Sequence, residues 1–157
     1  MKPNIGISEK HLKSSVALLS TVLANEMTLY IKTRKFHWNV AGESFMELHK
    51  LFEYQYKQLE ESIDEIAERI GKLGHKTIGT MNEYAKLTSI KEYPGKYASS
   101  KELLTELLKD HETVIIQLRK YIEDSTEKNK DLGTADYFTG LMEQHETIAW
   151  TLRRYLN

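Results

Sequence analysis

The chain has 157 residues, of which 40% are hydrophobic and 29% are charged, with a formal net charge of -1 and no cysteine. This composition predicts one domain, residues 1–157, that buries a core without disulfide bonds. It excludes thiolate metal ligands and a general electrostatic attraction to nucleic acid. No apolar run reaches the ~18 residues that span a membrane, and no secretory signal is visible, so we expect a cytoplasmic protein.

The first predicted helix runs from about Ser8 to Val40, where apolar side chains recur at helical spacing. Ser8 can cap its start, and Gly42 can end it. A second helix follows at once, because Ser44 and Glu47 have the spacing of a capping box. The short link between the two helices predicts an antiparallel hairpin.

A long mixed segment, residues 75–98, separates this hairpin from the next helix, and MNEYAKL (81–87) predicts one short helix within it. Ser99 and Glu102 form a second predicted capping box, which begins the third long helix. The polar stretch EKNKDLG (127–133) is expected to connect it to the fourth. The pattern predicts an all-α, ferritin-like four-helix bundle with a short helix in the crossover between helices two and three.

Two histidines, His37 and His49, are equidistant from the turn of the first hairpin. Such residues lie at similar height in an antiparallel pair, so we expect the two side chains to face each other. On the second helix, His49 and Glu53 are four residues apart, as are Asp64 and Glu68, so each pair shares a face. At ~100° per residue, the steps from Glu53 to Asp64 return to within roughly 20°, so all four line one stripe.

One copy of this stripe cannot form a metal site, because His49 and Asp64 are ~22 Å apart along the helix and ligands lie ~2–2.6 Å from an ion. If the helix pairs antiparallel with its own copy across a twofold axis, residues meet when their numbers have a constant sum. That sum is 117 for His49 with Glu68 and for Glu53 with Asp64. The predicted ligands are therefore His37, His49 and Glu53 of one chain with Asp64 and Glu68 of the other.

Imidazole and carboxylate ligands without thiolate suit iron(II), manganese or zinc. Trp38, beside His37, is expected to form a wall of the site and a redox-active neighbour. The chain has no Glu-x-x-His motif, so a site within one bundle is not expected. His111 and His145 lie on the apolar stripes of the third and fourth helices and are predicted to be core or interface residues.

The stretches HWNVAGESFMELHKLFE (37–53) and DEIAERI (64–70) resemble those of the Dps family, the mini-ferritins, and the resemblance extends over essentially the whole chain. It implies a homo-dodecameric hollow shell that stores ferric mineral. Sites between subunits would oxidise iron(II), preferentially with hydrogen peroxide, and the five ligands named above would hold the iron. Glu53 stands where many members have Asp. The resemblance places the acidic pores of the shell near Asp131 and Asp136.

Two other functions remain open from the residues alone. One is a nucleoid-binding stress protein in which metal is incidental, and the other is a helical bundle with a zinc or manganese clamp at the dimer contact. Little or no DNA binding is expected at physiological salt, because phosphate neutralisation supplies most of such affinity and only Lys2 precedes the first helix as a basic residue. Peroxide-dependent turnover of iron(II) would distinguish a ferroxidase from a clamp.

Overall fold

The computed structural model describes residues 3–95 and 98–157, and within these ranges every regular element is helical. The helices are α1 (Glu9–Asn39), α2 (Phe45–Lys72), α3 (Met81–Leu87), α4 (Ser100–Glu123) and α5 (Leu132–Leu156). The predicted all-α class is confirmed, and so is the short helix in the crossover. No helix of the described ranges has both the length and the apolar character to cross a membrane. Lys2, used above in the expectation on DNA binding, lies outside these ranges.

Two hairpins build the bundle, because α1 packs along α2 and α4 packs along α5. The short helix α3 lies against α1, so the crossover runs beside the first helix. Apolar side chains from all four long helices fill the centre, among them Phe36, Phe52, Leu107, Phe138 and Leu152, each at most 1% exposed. Burial of each such side chain contributes about 1.5–3 kcal/mol, which fixes the helix faces that meet.

The helix starts agree with the sequence at two of the three predicted caps. The Ser8 hydroxyl accepts a hydrogen bond from the backbone N–H of His11, and a full capping box forms at Ser99. The capping box predicted at Ser44 and Glu47 is wrong, since the Ser44 side chain makes no capping bond. Its backbone, at φ -91° and ψ 22°, is not extended as a capping residue requires. The Glu47 carboxylate instead accepts a hydrogen bond from the Tyr155 hydroxyl.

The connection between α4 and α5 is shorter than the polar stretch 127–133 suggested. The α4 helix continues into a π-helical turn, Asp124–Lys128, and α5 already begins at Leu132. Lys130 reverses the chain with a φ of 53°, which lies in the left-handed region. Asp131 then caps α5, because its side chain accepts from the backbone N–H of Thr134.

Candidate metal site at the first hairpin

His37 and His49 face each other across the first hairpin, as their equal distance from the turn predicts. Their rings stack, with centroids 3.8 Å apart and an interplanar angle of 22°. The Nδ1 atom of His37 lies 2.8 Å from the backbone oxygen of His49, and the reciprocal contact measures 3.0 Å. A carbonyl oxygen only accepts, so each Nδ1 carries the proton. In the neutral form of each ring, Nε2 then keeps a lone pair, and this is the form that binds metal.

The turn between α1 and α2 brings the two histidines to the same level along the hairpin. His37 lies in the last turn of α1, and Gly42 turns the chain with a φ of 107°. Few residues other than glycine adopt that conformation without strain. His37 is 9% exposed, so its ring is largely shielded from water.

Glu53 is the carboxylate of the same chain that lies beside this pair. It accepts a hydrogen bond from Lys57 at 2.6 Å, and this contact is the main reason that its pKa is lowered. The positive charges that His37 and His49 can carry lower the pKa of Glu53 further. Glu53 is thus near enough to His37 and His49 for their charges to act on it, and it adds an ionised carboxylate to the surroundings of the imidazole pair.

Asp64 and Glu68 do not reach this group within one chain. Both are exposed on α2, about three to five turns further along the helix than Glu53 and His49. Glu68 pairs with Lys72 at 3.3 Å, one turn away on the same face. Within the described residues of one chain, no group of three or more His, Asp or Glu side chains is placed so that it could hold a metal ion.

An aromatic cluster, formed by Tyr30, Arg34, Trp38 and Tyr56, borders His37. The His37 ring meets the Tyr56 ring at 5.3 Å and 75°, and the Arg34 guanidinium lies 4.6 Å from the centroid of Tyr56. Trp38, expected to be a wall of the site, is 64% exposed, with its ring 5.5 Å from Arg34. Tyr30 and Arg34 were not among the site residues predicted from the sequence. They are four residues apart on α1, just before His37, and this spacing could have indicated that they share a helix face near the site.

The two predicted pore residues have different surroundings. Asp131 is 1% exposed. Its carboxylate lies 3.2 Å from Nη2 of Arg69 and accepts a hydrogen bond of 3.0 Å from the backbone N–H of Thr134. These contacts give Asp131 a structural role at the start of α5. Asp136 is exposed on the first turns of the same helix. The acidic pore stays a prediction, and Asp136 is the residue whose exposure suits it.

A second polar cluster lies inside the bundle, away from the hairpin site. His111, His145 and Glu26 are each 0% exposed and come from α4, α5 and α1. The Nδ1 atoms of the two histidines are 2.8 Å apart, and Nε2 of His145 lies 2.9 Å from a carboxylate oxygen of Glu26. Burial, and secondarily the neighbouring His145, lowers the pKa of His111 well below its usual value. The two histidines are core residues, as predicted, and Glu26 is the partner that the sequence did not reveal.

The comparisons with known proteins agree with this architecture. The ferritin-like domain family matches residues 16–157. The chain is 36% identical to DNA protection during starvation protein 2 of Bacillus anthracis, over 79% of this chain and 84% of that protein.

Two solved structures have nearly the same fold. The Dps of Thermosynechococcus elongatus superposes with a TM-score of 0.90 at 30% identity, covering 94% of this chain and 93% of that one. The Dps protein of Vibrio cholerae, described as a member of the ferritin-like diiron-carboxylate proteins, has a TM-score of 0.92 at 29% identity, covering 99% and 97%. From its fold and these likenesses, the chain belongs to the Dps family of the ferritin-like superfamily.

Proposed function

We propose that this protein stores and detoxifies iron by oxidising iron(II) at sites shared between two subunits. The observation that carries the proposal is the pair of stacked histidines beside an ionised Glu53, because each Nδ1 is bound to a carbonyl oxygen and Nε2 is the nitrogen left to bind metal. This donor set suits iron(II), and the V. cholerae relative is described as a diiron-carboxylate protein.

The rest of the ligands come, in this proposal, from a second copy of α2. Glu53 and Asp64 lie on one face of α2, and Asp64 is exposed there. A twofold axis near Gln58 and Leu59 would bring the partner subunit's Asp64 to Glu53 and the partner subunit's Glu68 to His49. Each dimer would then contain two equivalent sites.

The reaction transfers electrons from the bound iron to an oxidant, which we propose is hydrogen peroxide. Two iron(II) ions each lose one electron, the peroxide O–O bond breaks, and two protons complete two water molecules. Because the peroxide is reduced by an electron pair, no hydroxyl radical is released. The carboxylates stabilise the higher charge of the ferric product, and imidazole binds both oxidation states.

Storage follows if the oxidised iron hydrolyses inside a closed homo-oligomer. We propose a dodecameric shell built from the α2 dimers, with iron(II) admitted through acidic pores that include Asp136. The relatives named above support a homo-oligomer. We further propose that DNA is protected by the removal of iron and peroxide, since the net charge of -1 provides no general attraction to phosphate.

A complementation experiment tests the shared site directly. The variants His37→Ala and Asp64→Ala should each assemble and each lose rapid peroxide-dependent iron oxidation. When the two variants are unfolded together and co-assembled, every mixed dimer regains one intact site. Random pairing should therefore restore about one site in four.

The control is His75→Ala. It alters a histidine outside the hairpin site and outside the buried cluster of His111 and His145, so iron oxidation should keep the parental rate. Failure of the co-assembled mixture to regain activity would place all ligands within one chain. Parental rates in both single variants would contradict the ferroxidase itself. Tight zinc or manganese binding without iron oxidation would instead show that the site is a structural metal clamp at the dimer contact.

A further inference from the structure

Arg34 is held by aromatic rings beside the proposed iron site. Its guanidinium carbon lies 4.6 Å from the ring centroid of Tyr56, 5.4 Å from that of Tyr30 and 5.5 Å from that of Trp38. Its Nη1 donates a hydrogen bond of 2.5 Å to the Tyr30 hydroxyl, and its Nε is buried without a hydrogen-bond partner among the described residues. The contacts that orient this side chain are therefore mainly with ring faces.

Tyr56 connects Arg34 to the iron site. It is 8% exposed, contacts the His37 ring at 75°, and meets the Tyr30 ring edge-on at 6.1 Å between centroids. Tyr30 is held in turn from α2, because its hydroxyl lies 3.4 Å from a carboxylate oxygen of Glu60. Tyr56 thus lies between His37 and Arg34, with little room to move.

We propose that Arg34 is a positioning residue of the iron site, which holds Tyr56 against His37 and so fixes the direction of the His37 Nε2 lone pair. This inference rests on the proposed function. The hydrogen bond from Nδ1 to the His49 carbonyl fixes one edge of the His37 ring, and the stacked His49 ring covers one of its faces, but the His37 ring can still tilt away from His49. The Tyr56 ring blocks this tilt only while it is itself held in place.

The planar guanidinium suits this role better than an ammonium group. A guanidinium stacks on several aromatic faces and keeps its orientation, whereas the Lys ammonium is a compact, strongly hydrated charge on a flexible chain. Arg34→Lys therefore retains the charge and loses the stacking. Arg34→Met loses the charge and retains apolar contact with the rings.

The experiment measures cobalt(II) binding to the assembled protein, since the visible absorption of bound cobalt reports its coordination. Partners of a metal-bound histidine typically change metal affinity by about 10- to 100-fold when removed. Arg34→Lys and Arg34→Met should both weaken cobalt binding by at least about tenfold and alter its spectrum. Tyr56→Leu should have the same effect, and Tyr56→Phe should bind as the parent does, because the ring is retained.

The matched control is Arg153→Lys, which makes the same exchange at an exposed pair with Glu112 and should leave cobalt binding unchanged. Parental affinity and spectrum in Arg34→Lys would overturn the inference, because stacking would then be unnecessary. If only Arg34→Met lost cobalt affinity, the effect would be one of charge, and the inference would again be overturned.

The same titration separates this inference from the proposed function. If the parent binds cobalt and His37→Ala and Asp64→Ala abolish the binding, the shared site exists whatever Arg34 does. If the parent binds no cobalt, or if both of those variants bind it normally, the proposed function fails and the positioning role fails with it. Thermal unfolding of each Arg34 variant identifies any general loss of stability.

Discussion

The Nδ1 atoms of His111 and His145 lie 2.8 Å apart in the core of the bundle, where both side chains are 0% exposed. One of the two atoms must carry the proton and the other must accept it, since a hydrogen bond needs both. Within the described residues, the Nε2 atom of His111 has no hydrogen-bond partner. This pair joins α4 to α5 by a polar contact inside an apolar interior.

The buried His111 should make the protein sensitive to acid. Its pKa is lowered by burial in the folded state, whereas in the unfolded chain it accepts a proton below about pH 6.5. Because the unfolded state then binds more protons, stability is lost as the pH falls below about 6.5, by up to ~1.4 kcal/mol per pH unit. Unfolding measured between pH 7.5 and 5.5 should show a shallower loss in His111→Gln than in the parent. An equally steep loss in that variant would contradict this assignment, and His75→Gln serves as the control.

Glu26 and His145 should be strongly coupled. Both side chains are 0% exposed, and Nε2 of His145 lies 2.9 Å from a carboxylate oxygen of Glu26. Removing one partner of a buried pair leaves an uncompensated charge and typically costs about 3–5 kcal/mol. We expect that cost for His145→Leu, and a smaller one for the double variant Glu26→Leu with His145→Leu. Denaturant unfolding of the full cycle measures the coupling, and simple additivity would show that the two groups do not interact.

Asp131 should matter for stability, whereas Asp136 should not. Loss of the cap at the start of α5 typically costs about 0.5–2 kcal/mol, and Asp131→Ala also removes the partner of Arg69. The exposed Asp136→Ala should change the free energy of unfolding by less than about 0.5 kcal/mol. Chemical unfolding measures both values. If Asp131→Ala unfolds like the parent but admits iron more slowly, the pore assignment of Asp131 would be restored.

Lys57 should compete with metal for Glu53. The hydrogen bond from its ammonium group at 2.6 Å occupies a carboxylate oxygen that the proposed site requires. Lys57→Gln should therefore modestly increase the affinity for cobalt(II), measured by calorimetric titration. Lys50→Gln, on the same helix, provides the comparison. A decrease in affinity would mean that Lys57 supports the site in the assembled protein.

Much of the candidate site was predictable because it depends on helix geometry alone. The i, i+4 spacing of His49 with Glu53 places two ligands on one face in any α-helix. The facing of His37 and His49 needs only an antiparallel hairpin with its turn at Gly42. The relationship between Glu53 and Asp64 of two chains likewise depends on one helix and a twofold axis, so it could be proposed without knowing the rest of the fold.

The contacts across the bundle were decided by the tertiary structure. Glu26 and His145 are far apart in the sequence, and only the packing of α1 against the second hairpin brings them together. Burial of Asp131 depends on Arg69, which reaches it from α2. Similarly, the stacking of Arg34 on Tyr56 requires a particular rotation of α1 against α2.

The sequence by itself determined the helices, their order and the heights at which the histidines and carboxylates lie. Which faces of those helices meet, and hence which polar groups are buried together, was decided only by the tertiary structure. The physical reason is that periodicity fixes the positions of side chains around one helix, whereas the rotation of each helix depends on the simultaneous packing of side chains from all four.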